Sequence, residues 1–232
     1  MTPDKARLYN NLVLKRQGCR LCKESLHKGE LTNPANTGFD TNEIGPWSAW
    51  QGNLDAELLI VGQDWGYIET FVDYEGKNEP SLDRYQFPTD ENLVEFLDMI
   101  GVNIGHPLKP RTDMPVFLTN AVLCLKAKRV GKKVRDEWWR NCGREFLKPL
   151  ITIVKPKVVV ALGGVARTAV MTAYGKPVGG TLGDAVRSQP IRLDVNVDLL
   201  SVYHPSPEGM ITHKRTEHIQ AWRRVGKFLG TI

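Results

Sequence analysis

The stretch Ala56–Gly66, "AELLIVGQDWG", decides the fold. A near-continuous apolar run ends in a glycine, followed by Gln63, Asp64 and Trp65. Runs of this kind suit strands covered on both faces, so Asp64 is expected where the strand leaves the core. Three later segments read the same way: "PVFLTNAV" (115–122), "KVVVALG" (157–163) and "VDLLSVY" (197–203). Helical patterns separate them, over 91–101, 134–154 with an interruption, and 164–175, with a last helix over roughly His213 to Leu229. Another helix is expected over 4–17, and an irregular loop over 25–55. The alternation predicts a three-layer α/β/α sandwich around a mainly parallel sheet of about four strands. Residues 1–232 read as a single domain, with 1–55 an N-terminal helix, arm and loop, and 56–232 the α/β core.

That architecture directs attention to one edge. In open parallel sheets, ligands bind beyond the carboxyl ends of the strands. Those ends read "GQDWG", "TNAV", "ALGG" and "YHPSPEG", so Asp64, Asn120, a glycine pair and His204 are expected on one rim. Simpler alternatives exist for each: an Asp after a strand caps helices, and an Asn there satisfies loop backbone. His204 stands apart because Pro205 and Pro207 stiffen its turn and so fix its direction. His27, His106, His213 and His218 lack such framing and read as surface residues.

The chain has 232 residues, 41% hydrophobic and 25% charged, with a formal net charge of +5. This permits a polyanionic partner without requiring one. No run approaches a membrane span and the start is polar, so a cytoplasmic protein is expected. Four cysteines are present, Cys19 and Cys22 in "CRLC" and Cys124 and Cys142 downstream. In a reducing compartment this pattern reads as a four-thiolate metal site, with four unrelated buried thiols as the alternative. Between the last two lies "KAKRVGKKVR" (126–135), either a solvated loop or a phosphate-binding surface. In the last helix Ile219, Trp222, Val225 and Leu229 form a seam against the core.

Taken in order, these segments resemble the uracil-DNA glycosylase superfamily, most closely its iron–sulfur branch, often called family 4. "CRLC", "LTNAVLC…C" with "FLKPLITIVKPKVVVALGGVA", and "SVYHPSPEG" carry the likeness over most of the chain. The resemblance implies a structural [4Fe–4S] cluster on Cys19, Cys22, Cys124 and Cys142; spacing alone admits zinc equally. It implies hydrolysis of the N-glycosidic bond of uracil, or of other deaminated or 5-substituted bases, in DNA. The alternative is a weak or inactive DNA-binding protein on the same fold. A monomer acting on damaged DNA, near the nucleoid, is expected.

The first motif departs from the branch. Gln63 and Asp64 look like the cluster-free, uracil-specific family, whose Asp handles the catalytic water, so Asp64 and His204 become the catalytic candidates. Gly62, Gln63, Gly66, Phe87 and Asn120 become the base-binding candidates, with Asn120 reading the base edge, Phe87 stacking on it and Phe71 as runner-up for stacking. Gly66 stands where a tyrosine crowds the base's 5-position in that family, which implies a more open pocket. Trp65 replaces a proline. Ser206, Lys128 and Arg129 are candidates for phosphate contacts. Glu208 occupies the position of the apolar wedge, leaving Met210 as its substitute.

Overall fold

The structure is a computed structural model that describes residues 3–22, 29–46, 50–75, 87–106, 109–111, 113, 116–131 and 133–232. In chain order the strands are β1 (Leu31–Thr32), β2 (Leu58–Asp64), β3 (Gly105–His106), β4 (Lys109–Pro110), β5 (Val116–Val122), β6 (Leu125–Lys126), β7 (Val158–Leu162), β8 (Ile191–Asp194) and β9 (Val197–Val202). The helices are α1 (Pro3–Gln17), α2 (Ile68–Glu75), α3 (Pro88–Met99), α4 (Asp136–Cys142), α5 (Lys148–Val154), α6 (Gly163–Ala173), α7 (Leu182–Arg187), α8 (Pro207–Thr212) and α9 (Arg215–Leu229).

The apolar runs pair as parallel strands in the order β5-β2-β7-β9, with β8 antiparallel on the β9 edge. Side chains alternate between faces with period two. Leu58, Ile60, Val158, Val160, Leu200 and Val202 face one way and meet Phe96, Leu97, Trp222 and Val225 of α3 and α9. Leu59, Val61, Phe117, Val159, Ala161 and Leu199 face the other and meet Tyr9, Trp138, Ile151, Ala166 and Val170. This is the expected sandwich, and the seam of α9 faces the core as read.

The sheet has five strands where about four were expected. The fifth, β8, forms a hairpin with β9 through Val195 and Asn196, and Asn196 turns in the left-handed region at φ 60°. Asn tolerates that conformation better than most residues, so "DVNV" is the signal of a hairpin. The helix over 134–154 is interrupted by a π turn over Gly143–Leu147, between α4 and α5. Pro149 has no N–H to close an ordinary helical turn, and a local widening accommodates it.

The expected loop over 25–55 is anchored where it is described. β1 pairs antiparallel with β6. Arg16, at the end of α1, is buried and donates to Asp40 (2.7 Å) and to the carbonyls of Thr41 and Glu43. Leu59 lies fully buried in the central sheet. Leu59→Ala is expected to cost about 2–5 kcal/mol of stability through lost transfer energy and a residual cavity, read as a lowered denaturant midpoint with the slope unchanged.

Candidate active site

Parallel register sets the site. Gly62 lies opposite Asn120, and Asp64 opposite Val122. A Cβ on Gly62 would fall 2.1 Å from Asn120 Oδ1, so only glycine leaves room for that amide. Two strands away, Gly163 follows β7 and takes φ +83°, and a Cβ there would lie 3.4 Å from the Cβ of His204, in ordinary contact. The rim therefore runs Asn120, Gly62 with Asp64, Gly163, His204, in the order β5, β2, β7, β9. Among the described residues, nothing hydrogen-bonds the Asn120 side chain, although it is buried.

Asp64 is held from three directions. Its Oδ1 accepts the amide N–H of Gly66 (2.8 Å), and Oδ2 accepts the side-chain amide of Gln63 (2.8 Å) and the ammonium of Lys126 (2.9 Å). Asp64 and Lys126 side chains are 6% and 4% exposed, so the pair is shielded from solvent. In the sequence Lys126 opens the basic segment 126–135; the structure takes it out of that loop surface. Two rows of bonds place it there: its amide donates to Gly66 O (2.9 Å), and β6 pairs with β1. Its Nζ also lies 5.3 Å from the ring centre of Tyr67. Gly66 takes φ +85°, and the space beyond its Cα is open. Trp65 is buried with Phe71 and Leu125, its indole lying where a side chain on Gly45 would sit. It thus joins the strand tip to the N-terminal loop.

The turn after β9 is tightly built. Ser206 N–H donates to His204 Nδ1 (3.1 Å), which leaves the proton of a neutral ring on Nε2. Burial holds the His204 imidazole below its ordinary value of 6.5, against the opposing pull of the Asp64 and Glu208 charges. A Cβ on Gly209 would fall 1.9 Å from His204 O, so the turn closes only on glycine. Ser206 Oγ caps α8 by accepting Gly209 N–H (3.3 Å), and Asn92 of α3 donates to Pro205 O (2.8 Å). Two of the histidines taken for surface residues belong to this support. His218 is fully buried, donates from Nε2 to Gly209 O (3.2 Å) and stacks on Phe96, and His213 stacks on Tyr203. His27 lies outside the described residues. The glycine after "HPSPE" and the i, i+4 placement of His218 on the core side of α9 were the available signals.

Phe87 stands at the N-cap position of α3, half-buried and five residues before Asn92. Phe71 is fully buried beside Trp65 and has no face left for a base. Met210 packs against the interior, whereas its neighbour Ile211 is 86% exposed.

An acid, an amide and an imidazole thus share one strand rim. Residues 49–225 match the family model described as the uracil DNA glycosylase superfamily. The chain belongs to that superfamily. It is similar to a curated type-5 uracil-DNA glycosylase of Pyrobaculum aerophilum, 24% identical over 217 residues that cover 90% of this chain and 87% of that protein. The fold and family place it among DNA glycosylases.

Away from the rim, this glycosylase-family chain gathers its four cysteines. Cys19, Cys22, Cys124 and Cys142 line one cavity of about 460 Å³, with Arg16, Asn33 and Asn141. Asn141 Nδ2 donates to Cys22 Sγ (3.6 Å). Burial, then the nearness of the other sulfurs, pushes the Cys124 thiol well above its ordinary range. Among the described residues, no three such side chains converge as they would on a single ion. The basic segment is stapled to the arm beside this cavity: Arg135 makes two bonds to Glu30 (2.8 and 3.0 Å), and Arg129 donates to Gly29 O (2.8 Å). Lys128 and Lys133 are left exposed, and Lys132 lies outside the described residues. Among the described residues, no helix is long and apolar enough to cross a membrane.

The two buried imidazoles carry a pH signature. His204 and His218 are both held below 6.5, chiefly by burial. The unfolded chain therefore takes up these protons first, and their contribution to stability, present above the unfolded value, is lost as pH falls below it. Unfolding free energy is expected to decline as pH falls below about 6.5. Nitrogen-15 spectra should show His204 as the neutral Nε2–H tautomer at neutral pH.

Proposed function

We propose that the protein hydrolyses the N-glycosidic bond of deoxyuridine in DNA and leaves an abasic site. The observation that carries this reading is the placement of Asp64, Asn120 and His204 along one rim, with Gly62 making room for the Asn120 amide. The name of the type-5 relative supports uracil as the base. The target bond is buried in the duplex stack, so the nucleotide must be turned out at a cost of a few kcal/mol. Asn120 would donate to a uracil carbonyl and accept from the ring N–H, a pattern cytosine cannot match. Phe87 would stack on the base, and the open space at Gly66 admits 5-substituted pyrimidines. Exposed Ile211, in place of Met210, suits the apolar wedge, while Ser206, Lys128 and Arg129 suit phosphate contacts.

Cleavage leaves negative charge on the departing base and positive charge on the sugar. His204, neutral with its proton on Nε2, donates to the base oxygen as the anion forms. Asp64 faces the sugar cation and orients the attacking water. The four cysteines line one cavity and would be the ligands of an iron–sulfur cluster, with zinc as the alternative. When bound, such a cluster would brace the arm and the loop, with no part in the bond-breaking.

Asp64→Ala and His204→Ala are expected to slow release of uracil from an oligonucleotide by roughly 10²–10³-fold each while DNA binding persists. Undiminished excision by both would overturn the mechanism. A panel of duplexes containing uracil, hypoxanthine, xanthine or 5-substituted uracils fixes the base. Binding without release of any base would favour the inactive DNA-binding reading, for which the three donors already on Asp64 are the one structural argument. Protein purified without air should be brown and carry about four iron per chain; zinc with no iron would replace the cluster reading.

A further inference from the structure

The geometry points to Lys126 as a positioning residue for the catalytic carboxylate. Burying an ammonium is costly unless it is paired and hydrogen-bonded, and Lys126 is 3% exposed with its Nζ 2.9 Å from Asp64 Oδ2. It is therefore distinct from the charges around it. Lys128 and Lys133 point to solvent, and Arg129 and Arg135 bond to the arm. Its backbone is fixed on both sides, by Gly66 O and by β1, so the head group starts from a defined place.

A carboxylate offers about four acceptor positions. Gln63 and Lys126 occupy those of Oδ2, and Gly66 N–H takes one on Oδ1. What remains is one lone pair on Oδ1, the position left to receive a water. Lys126 thus determines which oxygen stays available. It also balances a buried negative charge that would otherwise face DNA phosphates. Without the ammonium, Oδ2 keeps a single neutral donor, and the carboxylate is held by two neutral hydrogen bonds alone.

This inference rests on the glycosylase reading of the site, and the test separates the two. Lys126→Met removes the charge at nearly constant length, and Lys126→Arg keeps it. Excision is followed under single-turnover conditions on a uracil duplex, and affinity on the same duplex carrying a non-cleavable 2′-fluoro-deoxyuridine. Lys126→Met is expected to excise about 10–100-fold more slowly with affinity unchanged within about twofold, since a displaced catalytic group costs rate and not binding. Lys126→Arg is expected to recover most of the rate. In an Asp64→Asn background, Lys126→Met should change the residual rate by less than about twofold, because a residue acting through Asp64 has nothing left to act on.

A Lys126→Met rate within about twofold of the parent, or a loss appearing wholly as weaker binding, overturns the inference. So does an equal loss in the Asp64→Asn background. Should Lys126→Met fail to fold, the double variant, with both charges gone, decides: a rate matching Asp64→Asn upholds the role, and a further large loss overturns it. A parent protein that releases no base from any duplex ends the glycosylase reading itself, before any Lys126 variant is made.

Discussion

Everything at the site depends on four parallel strands held in one register. Parallel pairing lets strand ends arrive together at one edge, where backbone pairing stops and side chains are free to take on other work. Because alternate residues share a face, Gly62, Asp64 and Asn120 are set by the same pleat that places Leu58 and Ile60 in the core. A slip of one residue in β2 would turn the carboxylate to the opposite layer and drive a side chain into Asn120. Packing and chemistry are therefore specified by the same apolar run.

The rim was legible in the sequence because its signals are local. A buried strand, a glycine and then a polar residue can be read from a dozen letters, as at 56–66, and the two prolines around Ser206 announce a rigid turn. What escaped is long-range. Lys126 looks like its basic neighbours until β1 pairs with β6 and carries it inward. His218 looks solvated until α9 docks and sets it against Phe96 and Gly209. Trp65 makes sense only when Gly45, twenty residues earlier, is seen beneath its ring. The hairpin strand β8 was hidden for a milder reason, since four residues carry too little pattern to stand out.

The family assignment and the local geometry bear on different questions. The family match identifies the scaffold over residues 49–225, whereas the arm with Cys19 and Cys22 precedes that span. What ties the arm to the scaffold is visible only in the fold: a two-residue ladder, the Arg135–Glu30 pair and the indole of Trp65 over Gly45.

One short spacing has a consequence for engineering. Leu125 alone separates the sulfur of Cys124 in the cavity from the ammonium beside Asp64, and Leu125 is itself fully buried. The segment is a rigid spacer with no slack. A chimaera that imports residues 123–135 from another scaffold should import residues 29–36 as well, since the β1–β6 ladder and the bonds of Arg129 and Arg135 join the two.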